Sequence, residues 1–304
     1  MRLAAAAIIL VLMAAPARAG EIACWFENGA VVVPAAFGDI AGDFILDVSA
    51  PASLLHETSA QTFGIEAHWA RATLRLAGER RGNFPMRVAD LGARTRPFVT
   101  GIAGVIGAHD LMPFVIEITT SPCRVRLSQR AKPAAASIRL PLRMVGGVLA
   151  VKAAISDGVS ARAGWFAINT GAERTLVADA RLSRSSAEGT DPPVRLRALS
   201  VGGVLFEQIP AALMADPPPG LSGSIGEAVW SRFRLSLDPR RGWLALMPAA
   251  DLEAGAGDHL RQAEPRFQGQ HGGYATTPGE KGADHRRRDQ GSHEHERAKA
   301  PTTE

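Results

Sequence analysis

One short stretch occurs twice in this chain, and the repeat limits what the chain can fold into. GDFILDVSAPASLL at 42–55 returns as GWFAINTGAERTLV at 164–177, with Gly42/Gly164, Phe44/Phe166, Ala50/Ala172 and Leu54/Leu176 matched. In each copy an apolar strand runs into a small-residue turn. The turn is Asp47-Val48-Ser49-Ala50 in the first copy and Asn169-Thr170-Gly171-Ala172 in the second. A strand that ends on an acid or its amide is an arrangement that chemistry often uses.

Two further markers repeat in the same order. LAGERRGNFPMRV at 76–88 matches VGGVLFEQIPAAL at 201–213 through Gly78/Gly203 and Pro85/Pro210. GVIGAHDLMPFVIEI at 104–118 matches GSIGEAVWSRFRLSL at 223–237 through Gly104/Gly223, Ile106/Ile225, Gly107/Gly226 and Phe114/Phe233. The offsets between copies are 122, 125 and 119 residues, so only loop lengths differ. Self-similarity at so long a period implies two lobes of one duplicated unit.

An apolar pair, then Asp-x-x-Ala or Asn-Thr-Gly-Ala, then a Gly-x-Ile-Gly turn after some 55 residues, resembles the retropepsin-like aspartic peptidases. The likeness covers roughly residues 30–248. It implies an all-β fold of two acid-protease β-barrel lobes related by a pseudo-twofold, with one short helix per lobe. In that family each lobe contributes one catalytic Asp. Two carboxylates share a proton because like charges so close cannot both ionise cheaply. One draws a proton from a trapped water, and the other donates to the peptide carbonyl.

On that resemblance Asp47 and Asn169 are the candidate catalytic pair. Val48, Ser49, Ala50, Thr170, Gly171, Ala172, Gly104, Gly107, Gly223 and Gly226 support the turns and the cleft. The family's Thr hydroxyl locks the two turns together, and its Gly lets the other lobe approach closely. Each lobe here keeps half of the motif. Val48 stands where Thr is usual and Ser49 where Gly is usual, so Ser49 is expected to crowd its turn. The second copy keeps Thr170 and Gly171 but has Asn169 for the acid. An amide can hydrogen-bond a water but cannot cycle a proton, and losing one proton-transfer partner costs about 10²–10⁴-fold in rate.

Residues 1–19 read as a secretory signal peptide: Arg2, the apolar run Leu3–Ala15, then Ala17-Arg18-Ala19 as a small-x-small cleavage site. The apolar run is too short to span a bilayer comfortably. A periplasmic or secreted location follows, with no membrane span after cleavage. In an oxidising compartment Cys24 and Cys123, the only cysteines, are expected to form one disulfide across the first lobe; two buried thiols are the alternative.

The first lobe is assigned to 20–130, the second to 131–250, and 128–137 (SQRAKPAAAS) reads as the linker. The hairpin at 72–88 is expected to be a flap or its base, so the hairpins near 76–85 and 201–210 are expected beside the cleft. Residues 251–304 are rich in His, Arg, Glu and Gly, and are expected to be a disordered tail with too little apolar surface to offset chain entropy.

Other chemistries find little support. Lys and Arg total 34 against 30 Asp and Glu, and two of the arginines, Arg2 and Arg18, fall in the leader. With no basic face, nucleic acid is not an expected partner. No zinc spacing, phosphate-binding glycine loop or serine elbow appears, and no cofactor or metal is expected. His109-Asp110 reads as local capping of a helix start. The expected partner is an extended peptide held in the inter-lobe cleft of a monomer that is an internal pseudo-dimer, with weak hydrolysis or none. An active aspartic endopeptidase using Asp47, alone or through two chains, and a non-catalytic envelope interaction module are the alternatives.

Overall fold

The structure, a computed structural model, describes residues 20–129, 138–179 and 194–249. The leader, most of the linker and the C-terminal tail expected from the sequence lie outside the described residues.

The first lobe runs β1 (Glu21–Ala23), β2 (Trp25–Glu27), β3 (Ala30–Phe37), β4 (Ile40–Asp47), β5 (Leu54–His56), α1 (Glu57–Thr62), β6 (Trp69–Leu76), β7 (Glu79–Ala89), α2 (Gly92–Thr95), β8 (Ile102–Gly107), α3 (Ala108–Leu111), β9 (Val115–Thr120) and β10 (Cys123–Ser128). The second runs β11 (Ile138–Pro141), β12 (Arg143–Val145), β13 (Val148–Ser156), β14 (Ala161–Ile168), β15 (Thr175–Val177), β16 (Val194–Val201), β17 (Val204–Leu213), β18 (Leu221–Ile225), α4 (Glu227–Trp230), β19 (Phe233–Asp238) and β20 (Trp243–Pro248).

The fold is all-β, and its two lobes repeat one sheet. The first-lobe order is β2-β3-β4-β8-β5-β7-β6, with β3 also pairing β6 to close the barrel. The second-lobe order is β12-β13-β14-β18-β15-β17-β16, closed by β13 on β16. In both, the strand that leads to the polar turn runs parallel to the later glycine strand: β4 on β8 and β14 on β18. A third sheet, β1-β10-β9-β19-β20-β11, joins the lobes at β9–β19 with three strands from each side. The short helix after the glycine strand is matched between lobes as α3 and α4. Among the described residues the first lobe carries two more, α1 and α2.

The repeated residues sit where the duplication needs them. Phe44 and Phe166 are fully buried, and each ring fills the space beside a glycine. A Cβ on Gly104 would lie 2.4 Å from Leu54 O and 2.9 Å from Phe44 Cε1. A Cβ on Gly223 would lie 2.1 Å from Leu176 O and 2.9 Å from Phe166 Cε1. Burying such rings contributes about 2–3 kcal/mol each, and only glycine leaves room for them. Pro85 pairs with Arg71 and Pro210 with Arg195, although the first hairpin carries a register shift between Ala72 and Leu74 that the second lacks. β8 (IAGVIG) is buried along its whole length, which explains why it reads as an unbroken run of small and apolar residues.

Cys24 and Cys123 are joined in a disulfide, with Cα atoms 5.0 Å apart. The bond closes a loop of 99 residues around the first lobe, for which the chain-entropy account gives roughly 4–5 kcal/mol. Among the described residues ion pairs are few and mostly at the surface, so the continuous apolar core that spans both lobes is the main source of cohesion.

The β6–β7 and β16–β17 hairpins do not reach the cleft. The first turns at Ala77-Gly78, with Ala77 O 3.9 Å from a Cβ on Gly20, beside Ile22 at the inter-lobe sheet. The second turns at Gly202-Gly203, where a Cβ on Gly202 would lie 2.6 Å from Ile138 Cγ2. The expectation that these hairpins act as flaps is therefore overturned. They are pinned against β1 and β11, the outer strands of the shared sheet.

Candidate functional site

β4 and β14 bring the two polar turns to one place. Asp47 ends β4 and is 4 % exposed; Asn169 follows β14 and is 7 % exposed. The turns are built alike. Asp47 Oδ1 accepts the Ser49 N–H at 2.8 Å, and Asn169 Oδ1 accepts the Gly171 N–H at 2.9 Å. These side-chain-to-backbone bonds two residues on suit Asp and Asn. Beneath them a hydroxyl in each lobe accepts the last glycine N–H: Ser53 for Gly107 at 3.0 Å and Thr175 for Gly226 at 3.3 Å. Ala50 O accepts the Ala108 N–H and Ala172 O the Glu227 N–H, tying each turn to its helix.

The lobes lock through Thr170. Its hydroxyl donates to Leu46 O at 2.7 Å and accepts the Val48 N–H at 3.1 Å, both in the first lobe. Its carbonyl accepts the Val31 N–H at 2.8 Å, and Gly171 bridges Ala30. Val48, buried and without a hydroxyl, supplies no reciprocal bond, so the lock is one-sided.

Gly171 is required by proximity, not by backbone angle. A Cβ there would lie 2.6 Å from Asp47 Cγ, from Asp47 Oδ2 and from Arg94 Nη2. Ser49 turns out otherwise than its sequence position suggested. It does not crowd the turn, because it adopts no left-handed conformation, and its hydroxyl donates to Asp47 Oδ1 at 2.6 Å.

The residue that the sequence did not single out is Arg94. It lies on α2, in the link 90–101 between β7 and β8, where the second lobe uses only 214–220. Arg94 Nη2 donates to Asp47 Oδ2 at 2.5 Å. Both oxygens of Asp47 are thus occupied, one by Arg94 and the other by Ser49. The same link carries Pro97 and Phe98. Asn28 Nδ2 donates to Pro97 O at 2.7 Å, and Glu27 Oε1 accepts the Thr100 N–H at 3.1 Å and the Val99 N–H, so the link is pinned to the β2–β3 turn. The hydrogen bond to Thr100 holds the Glu27 carboxyl below its ordinary range.

Asn28, Asp47, Arg94, Pro97, Phe98, Asn169, Gly171 and Ala172 line one depression of about 400 Å³. Ser49, Ala50, Gly104, Gly107, Gly223 and Gly226 are not part of its lining; they shape the turns from behind. His56 accepts the Thr58 N–H as the cap of α1. Asp110 does not cap its own helix: Oδ2 accepts the Ser53 N–H at 3.1 Å, from 57 residues away. Among the described residues no cluster of His, Cys, Asp and Glu could hold a metal ion, and no helix is long and apolar enough to cross a membrane.

No family model matches this sequence. No curated protein matches it either. The fold does have solved neighbours. The crystal structure of the aspartic proteinase from Irpex lacteus superposes with a TM-score of 0.52 at 12% identity, over 76% of this chain and 97% of that one.

Proposed function

We propose that this chain, built on the aspartic-proteinase fold, is an exported protein that holds an extended peptide at the depression between Asp47 and Asn169 without hydrolysing it. The observation that carries this reading is the Arg94–Asp47 pair opposite an amide. Hydrolysis by a carboxylate dyad needs two acids on one water, one taking a proton and the other giving one. Here Oδ2 of Asp47 is held by a guanidinium and Oδ1 by Ser49, while Asn169 has no proton to exchange. The Cys24–Cys123 bond supports an oxidising compartment, in line with the leader read at 1–19.

Three features support peptide as the ligand. The depression lies where duplicated halves meet, a common place for binding sites. Its wall joins apolar Phe98, Pro97 and Ala172 to polar Arg94, Asn28 and Asn169. The short strand β2 ends the first-lobe sheet beside it, with an edge to which an extended chain can add. The dimer route to activity is disfavoured, because a second copy of Asp47 could approach the first only by displacing Thr170 and Gly171.

The test is fluorescence anisotropy with labelled random-sequence decapeptides, followed by mass spectrometry of the recovered peptides. Saturable binding, intact recovery and loss of binding in Ala172→Trp are expected. Binding that Ala172→Trp leaves unchanged, or peptides recovered as fragments, would contradict the proposal.

A further inference from the structure

Asn169 is more than a replaced acid. Its Oδ1 takes the Gly171 N–H, which fixes the amide orientation and turns Nδ2 the other way. No hydrogen bond to Nδ2 is found among the described residues, although the side chain is more than nine-tenths buried and lines the depression. Asn169 Nδ2 is not among the fully enclosed unpartnered atoms, so it reaches the solvent of the depression as an open donor that a ligand acceptor can take from water.

Arg94 supplies the second half. One Nη2 bond goes to Asp47, and no other bond of its guanidinium is found among the described residues; the side chain is one-third exposed. Asp47 therefore holds one end of the guanidinium, at Nη2. Above the turns the open side-chain groups of Arg94 and Asn169 are all donors. A single carbonyl oxygen can accept from both through its two lone pairs, but it brings no charge to the guanidinium. An amide has one carbonyl and a donor that would face other donors. A carboxylate has two oxygens and matches the arginine fork.

We infer that Arg94 and Asn169 anchor a carboxylate, with Phe98, Pro97 and Ala172 taking the apolar part of the ligand. This rests on the peptide-binding reading and narrows it: the peptide engages the site through its C-terminal carboxylate or through an Asp or Glu side chain.

The test is a two-dimensional ¹H–¹⁵N NMR titration of the full chain with three small probes. N-acetyl-leucine carries a terminal carboxylate, N-acetyl-leucinamide carries none, and the α-amide of N-acetyl-glutamate carries only a side-chain one. Saturable shifts at the Gly171 N–H and the Asn169 side-chain amide are expected for at least one of the two acids. The leucinamide should bind at least roughly ten-fold more weakly. Whichever acid binds identifies the source of the carboxylate. Arg94→Lys keeps the charge beside Asp47 but loses the fork, and should weaken the acid roughly ten-fold. Asn169→Leu should do the same.

Both acids binding no more tightly than the leucinamide, shifts confined to another face, or no saturable shift at all would overturn the anchor. The two proposals fail separately. Decapeptides that bind alike as free acids and as fully amidated forms would keep peptide binding and remove the anchor. Acid-specific shifts without any decapeptide binding would keep the anchor and remove the peptide.

Discussion

The two polar turns began as one structure and have diverged in opposite directions. The first carries the acid, Asp47, and has Val48 where the second has the cross-lobe hydroxyl of Thr170. The second carries the hydroxyl and the glycine, Thr170 and Gly171, and has the amide Asn169 where the first has the acid. The frames around them have hardly moved: the Asp47–Ser49 and Asn169–Gly171 bonds differ by 0.1 Å in length. The turns keep one frame despite these differences because they are held from behind, by buried glycines and by Ser53 and Thr175. Between the hairpin and the glycine strand the first lobe has the longer link, which brings Arg94 onto Asp47.

The largest effect is expected at the lock. Thr170→Val would leave Leu46 O and the Val48 N–H buried without partners, and should cost about 2–4 kcal/mol by denaturant unfolding. The mirror change Val48→Thr offers the missing hydroxyl and should be neutral within ~1 kcal/mol. If the two changes cost the same, the lock is not one-sided.

Gly171→Ala should cost about 1–3 kcal/mol, because the methyl group would strike both Asp47 and Arg94. Ser49→Ala, at the matching position of the first lobe, loses one hydroxyl bond and should cost about 1 kcal/mol. The ratio measures how unevenly the two turns are crowded.

Arg94→Ala strips the partner from a buried carboxylate. Arg94 is one-third exposed, so the expected loss is about 1–2 kcal/mol, below that for a fully buried pair. Asp47→Asn in the same chain should restore most of it, because the amide keeps the Ser49 bond without a charge to neutralise. A double-mutant cycle with no coupling would remove the ion pair from the account.

The smallest effect concerns the two matched helices. Ala108 opens α3 without a charge, whereas Glu227 opens α4. Burial raises the Glu227 carboxyl above its ordinary value; the Ser231 hydrogen bond lowers it and nearby Glu173 raises it. The folded state therefore favours the protonated form. The resulting cost is absent below the ordinary carboxylate range and appears as pH rises through the folded value. Glu227→Gln should gain a few tenths of a kcal/mol at pH 7, allowing for solvent screening, and nothing at pH 3.

The duplication was legible because steric needs repeat. Gly104 and Gly223 each admit a Phe ring, Gly107 and Gly226 each close against a turn, and these residues recur in order. Arg94 was not legible in the same way. The fall in offset from 125 to 119 does mark extra residues in the first lobe between Gly78 and Gly104. Nothing in that stretch shows that one arginine meets an acid 47 positions away, since that contact exists only after the lobe closes. Ser49 was read as an obstacle because a backbone angle cannot be taken from one residue type. The hairpins were placed by family likeness, and packing against β1 and β11 put them elsewhere.

The central claim is that an acid braced by Arg94 and faced by an amide does not hydrolyse peptides. The most direct measurement is cleavage of an unbiased peptide library by the full chain across pH 3–8, with Asp47→Ala alongside. No cleavage above background by either protein is the predicted result. Cleavage by the parent that disappears in Asp47→Ala would contradict the account.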